Sequence, residues 1–185
     1  MPSDRPAGTP SGGRRDWLRG AAALASGAVL GGWGAPARAN SLEVGQPAPP
    51  LVLRTLDGRN IDTRTLHGQV VVLTFWATWC GPCHEELPLL SSYAAAHARD
   101  GLTVLGFSLD GPDAMGDVRK MAASLSFPVG LLGSAYAGGY GRIWRLPVNF
   151  TIDRAGMLVD NGWDDTTPAW TAERLERVVT PLLKR

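Results

Sequence analysis

Residues 70–83, VVVLTFWATWCGPC, constrain this chain more than any other stretch. The run Val70 to Phe75 is continuous, apolar and rich in β-branched residues, which predicts a strand buried on both faces. The only two cysteines, Cys80 and Cys83, come shortly after it. HEELPLLSSYAAAHARD then predicts a helix, with Leu87, Leu90, Tyr93 and Ala94 at helical spacing and with Pro88 expected to kink or break it. A C-x-x-C pair between strand and helix reads as a dithiol redox centre. His84 extends the same letters to C-x-x-C-H, the attachment site of a c-type haem. The remaining sequence has to choose between these chemistries.

LVLRT and the stretch after LDG predict two short antiparallel strands, over 51–55 and 59–62, joined by a D-G turn. LTVLGFSLD, 102–110, is a second buried strand, and 113–124 predicts a helix with Gly116 inside it. A short strand is expected over 127–132 and a loop or short helix over 134–144. RLPVNFTID predicts a strand introduced by Pro147, and RAGMLVDNGW its hairpin partner through a turn at 153–156. An amphipathic helix over 170–185 places Leu175, Val178, Val179 and Leu182 along one side. The order is strand pair, β-α-β, hairpin and helix: an α/β fold with an antiparallel end.

The first 39 residues differ from the rest. A Pro-, Gly- and Ser-rich start leads to Arg14 and Arg15, then Trp17 and Leu18, then a weakly apolar run rich in Gly and Ala. Ala37-Arg38-Ala39 fits an A-x-A cleavage site. The segment resembles a twin-arginine export signal, cleaved after Ala39. The alternative is a retained anchor, but the run is short and broken by glycine, so it spans a bilayer poorly. Residues 40–185 make one ordinary domain. In the bacterial periplasm an exposed thiol pair is oxidised unless something reduces it, so the cysteines there are either structural or a working couple.

A static disulfide is a poor use of this spacing. Closing so short a loop removes on the order of 2 kcal/mol of unfolded-state entropy, against about 4 to 5 for a long one. A redox role suits it better. At a helix start, free N–H groups and the macrodipole favour a thiolate at Cys80, which is expected to be exposed and to attack a partner disulfide. Cys83, one turn further, resolves the mixed disulfide. Trp79 is expected to form part of an apolar docking surface, whereas Trp76 suits either that surface or the core. Lys and Arg total 18 against 17 for Asp and Glu. That balance removes the electrostatic argument for nucleic acid.

VVVLTFWATWCGPCHEELP, with LPVNFTIDRAG further along, resembles the thioredoxin superfamily, and within it the exported TlpA-like branch that includes reductases of cytochrome c maturation. The resemblance covers residues 44–185. It implies a thioredoxin-like mixed sheet flanked by helices, with an N-terminal β-hairpin extension. It also implies a cis Pro147 packed beside the dithiol and a Leu146 backbone that pairs with substrate. Gly81 and Pro82 are the dipeptide of reducing thioredoxins, which points to a potential nearer about −270 mV than −120 mV.

Where many thioredoxins carry a buried Asp, two residues before the tryptophan of the F-W pair, this chain has Thr74, which does not exchange a proton near neutral pH. TlpA-like proteins tend to carry a Glu three residues after the second cysteine, matched here by Glu86. It is expected to be partly desolvated and to shuttle a proton to or from Cys83; the alternative is a solvated carboxylate in an early helical turn.

The implied activity is that of an exported thiol:disulfide oxidoreductase. It acts as a monomer on disulfide-bearing client proteins, needs no cofactor or metal, and is recharged by a membrane thiol relay. A thiol oxidase or isomerase is the alternative within the fold, and a haem carrier using His84 the alternative outside it. His84 otherwise either tunes the dithiol or lies on the surface. The P-x-x-x-T-x-x-C pattern of peroxiredoxins is absent, Thr78 lying two residues before Cys80. Zinc would need three ligands crowded into five residues.

Overall fold

The computed structural model describes residues 42–167 and 169–184. The export signal expected over residues 1–39 lies outside the described residues. Two short strands, β1 (Val52–Arg54) and β2 (Asn60–Asp62), pair antiparallel as a separate ribbon. Their connection is the expected D-G turn. Gly58 adopts φ +88°, a conformation only glycine takes without strain, and its N–H donates to Thr55 O.

The chain then runs through β3 (Val70–Trp76), α1 (Gly81–His97), β4 (Leu102–Ser108), α2 (Met115–Ala122) and β5 (Val129–Leu131). It closes with β6 (Val148–Ile152), β7 (Leu158–Asn161), α3 (Ala172–Val178) and α4 (Thr180–Leu183). Five strands form one mixed sheet in the order β5-β4-β3-β6-β7. β3 pairs parallel with β4 and antiparallel with β6, so the strand that leads to the cysteines is at the centre. All seven of its residues are buried.

Alternation along β3 divides the core in two. Val70, Val72 and Trp76 pack with Leu87, Leu90, Val118 and Leu175 from the helices. Val71, Leu73 and Phe75 pack on the opposite face with Leu53 of the ribbon, Tyr140 and Phe150. There Phe75 stacks on Phe107 at 5.1 Å and meets Phe150 edge-on at 5.8 Å.

The ribbon is seated on the sheet edge at β5. A side chain at Gly130 would place its Cβ 1.9 Å from the Arg54 carbonyl oxygen. Neither backbone can yield cheaply, so Gly130→Ala is expected to destabilise the fold by about 2 kcal/mol or more. A fall in the urea midpoint at constant slope would register it; an unchanged midpoint would mean that the ribbon is not tightly docked.

Three sequence expectations are corrected. α1 begins at Gly81 rather than at His84, where the helical pattern starts, and so agrees with the expected placement of Cys80 at a helix start; Pro82 at the second helical position is preset for the helix and its missing N–H needs no partner there. It also runs unbroken through Pro88, with buried Cys83, Glu86 and Leu87 before the proline and Leu90 and Ala94 after it. The expected C-terminal helix divides at Val179, since Pro181 has no N–H to continue the ladder. Among the described residues, no helix is long and apolar enough to cross a membrane.

Candidate active site

Cys80 is the N-cap of α1 and Cys83 lies in its first turn, and the two are joined by a disulfide. Their placement follows from β3: the strand ends at Trp76, and a four-residue loop carries the chain to the helix start. Asp110, just beyond β4, fixes that loop. Its carboxylate accepts from Thr78 N–H at 2.8 Å and Thr78 Oγ1 at 2.6 Å, and from Ser108 Oγ at 2.7 Å. His84, which a haem reading needs as iron ligand, instead donates through Nε2 to the Thr78 carbonyl at 2.7 Å.

Cys80 is not openly exposed as expected: only 5% of it is accessible, and Cys83 is fully buried. Access is through a cleft of about 280 Å³. The α1 side supplies Trp79, Cys80 and Pro82; the segment entering β6 supplies Ile143, Trp144, Arg145 and Leu146, with Leu109 between them. Trp79 stands 70% exposed at the rim, while Trp76 is wholly core. The Leu146–Pro147 bond is cis. Pro147 itself is buried, and exposed Gly81 lies outside the cleft lining. The structure therefore gathers Trp79, Cys80, Pro82 and Leu146 on one cleft.

Glu86 lies one turn beyond Cys83 and is 2% exposed, which excludes the solvated alternative. Its Oε1 accepts from Thr74 Oγ1 at 3.1 Å. Its Oε2 accepts from Asn149 Nδ2 at 3.0 Å and from the Trp170 N–H at 2.7 Å. Thr74 and Asn149 are register partners across β3 and β6, so the sheet presents them as a pair. Burial raises the carboxyl to about 7, outweighing the three hydrogen bonds and the attraction of Arg174, all of which act to lower it. Arg174 is itself buried, 2.8 Å from Asp160, with its guanidinium 4.4 Å over the Trp170 ring. A carboxyl poised near neutrality beside a dithiol can take or give a proton at working pH.

Asn149, Trp170 and Arg174 escaped the sequence reading, as did Ile143, Trp144, Arg145 and Leu109 of the cleft. One signal was available: Asn149 is an amide within the otherwise strand-favouring run VNFTI, and a polar side chain in a buried strand needs a buried partner.

Residues 44–160 match the model of the AhpC/TSA family. The thiol-disulfide oxidoreductase ResA of Bacillus thuringiensis (strain Al Hakam) is 32% identical over 120 residues, 64% of this chain and 69% of that protein. The thioredoxin-like protein YneN of Bacillus subtilis (strain 168) is 30% identical over 122 residues, 64% and 71% of the two chains. Among solved structures, a putative thiol:disulfide interchange protein DsbE from Chlorobium tepidum superposes with TM-score 0.65 at 29% identity, over 77% of this chain and 99% of that one.

Proposed function

Since this chain belongs to the AhpC/TSA family, with a thioredoxin-like fold and thiol:disulfide oxidoreductase activity, we propose that it works outside the cytoplasm as a reductant of client disulfides. The observation that carries this reading is the Cys80–Cys83 pair at the start of α1, with Cys80 lining a surface cleft.

In the reduced protein the Cys80 thiolate attacks one sulfur of the client disulfide. A mixed disulfide forms and one client thiolate leaves. The Cys83 sulfur, its proton taken by Glu86, attacks Cys80 Sγ and releases the second client thiolate. The client gains two electrons and the pair is oxidised to the disulfide seen here. Trp79, Pro82 and Leu146 line the client's path, and the Leu146 backbone beside Pro147 supplies a short strand-like pairing.

Export by the twin-arginine route is supported by the sequence of residues 1–39, and action there requires a membrane thiol relay to return electrons. Apocytochrome c in cytochrome c maturation is the client class in keeping with the TlpA-like resemblance, and the working unit is a monomer.

The test is a thiol-redox equilibrium titration of residues 40–185. A potential near about −270 mV is expected; a value near −120 mV would reverse the direction of electron flow.

A further inference from the structure

Trp144 is 71% exposed, yet an indole and a guanidinium pack against its ring. The Trp163 ring stacks against it at 5.7 Å and 11°. Trp163 is in turn fixed by its Nε1–H on the Tyr140 carbonyl at 2.9 Å and by an edge contact with Phe150. Arg145 packs its guanidinium 5.3 Å and 5.6 Å from the two indole centroids and donates to the carbonyls of Gly162, Trp163 and Asp165. The hydrogen bonds anchor Trp163 and Arg145, and those two side chains brace a large apolar ring that stands in water. A ring held rigid before contact loses little entropy when a partner covers it, which suits recognition.

Its position says what it recognises. Trp144 and Trp79, both largely exposed, line the cleft that contains Cys80, so a client bound in that cleft meets exposed indole surface. Among the described residues, no carboxylate lines that cleft, and Arg145 is the one charged side chain that does.

We infer that Trp144, on its Trp163–Arg145 support, is a specificity-determining residue that selects clients with an aromatic residue next to the reactive cysteine and disfavours a basic one there. The inference rests on the disulfide-exchange reading above and adds the substrate class to it. The aromatic ring stacks on Trp144, whereas a lysine in the same place meets the Arg145 charge with no carboxylate among the described lining residues to offset it.

The test uses the reduced protein and three peptide disulfides that differ only in the residue beside cysteine: Phe, Ser or Lys. Exchange oxidises Cys80–Cys83 and reduces the peptide disulfide to two thiols. The expected second-order rate constant for the Phe peptide exceeds that for Ser about tenfold, the size of effect a single apolar contact gives. The Lys peptide is slower than Ser. In Trp144→Ala the Phe-to-Ser ratio falls to about one to two; Trp144→Phe retains most of it, and the potential of the couple stays at the wild-type value in both. A wild-type ratio of one, or an unaltered ratio in Trp144→Ala, overturns the assignment while leaving exchange intact. If the wild-type protein exchanges with none of the peptides, the exchange reading falls and this one with it.

Discussion

Cys80→Ser is expected to abolish disulfide exchange, with a loss on the order of a thousandfold or more, because no other described side chain at the cleft can act as the sulfur nucleophile. Cys83→Ser should behave differently. It keeps the attacking thiol and removes the group that releases it, so client protein accumulates as a mixed disulfide on Cys80. The two variants, incubated with a disulfide peptide and analysed by mass spectrometry without reductant, separate the roles. A trapped adduct is expected in Cys83→Ser and none in Cys80→Ser. The reverse pattern would exchange the assignments. The same Cys83→Ser protein gives the acidity of Cys80 from its alkylation rate against pH. At the N-cap of a 17-residue helix the thiol should titrate below the 8.5 of free cysteine. A value at or above 8.5 would remove the helix start as the source of reactivity.

Glu86→Gln should alter two pH profiles in one direction. The wild-type carboxyl has a pKa near 7 in the fold against an ordinary 4.5, so the fold favours its protonated form. Stability from this group is therefore fully present below about pH 4.5 and is lost as pH rises through 7, in total on the order of 3 kcal/mol. The urea midpoint of the oxidised wild-type protein should fall from pH 5 to pH 8, and that of Glu86→Gln should remain level over the same interval. Gln is a fair replacement: its oxygen can accept from Asn149 and Trp170 as Oε2 does, and its amide can donate to Thr74 Oγ1. Loss of the titrating proton should also slow release of the mixed disulfide by about ten- to a hundredfold near pH 7 and remove the inflection there. An unchanged Cys83 titration in this variant would end the proposed proton transfer.

Much of the architecture was legible because it is written in short-range patterns. The run at 70–75 became the central strand, and its alternation separated the two halves of the core. The D-G pair turned the ribbon where expected, and the β-α-β and hairpin order reappeared in the sheet. The misreadings were local contests between a pattern and a proline. Pro82 started α1 earlier, Pro181 divided the last helix, and Pro88 failed to break α1 because tertiary packing on both sides outweighed one lost backbone bond.

The site was legible only as far as its covalent neighbourhood extends. Cys80, Cys83, Trp79 and Pro82 sit within five residues of one another, so their chemistry and spacing were determined by the sequence alone. The cleft at Cys80 is completed by Trp144, Arg145 and Leu146 arriving from another part of the chain. Glu86 was visible as a carboxylate near the dithiol, but its pKa depends on Asn149 and Trp170, 63 and 84 residues away, and on burial that only the assembled sheet and helices create. Periodicity and motif report which groups are covalently close. Acidity and access depend on which groups exclude water from one another, and folding alone brings those together.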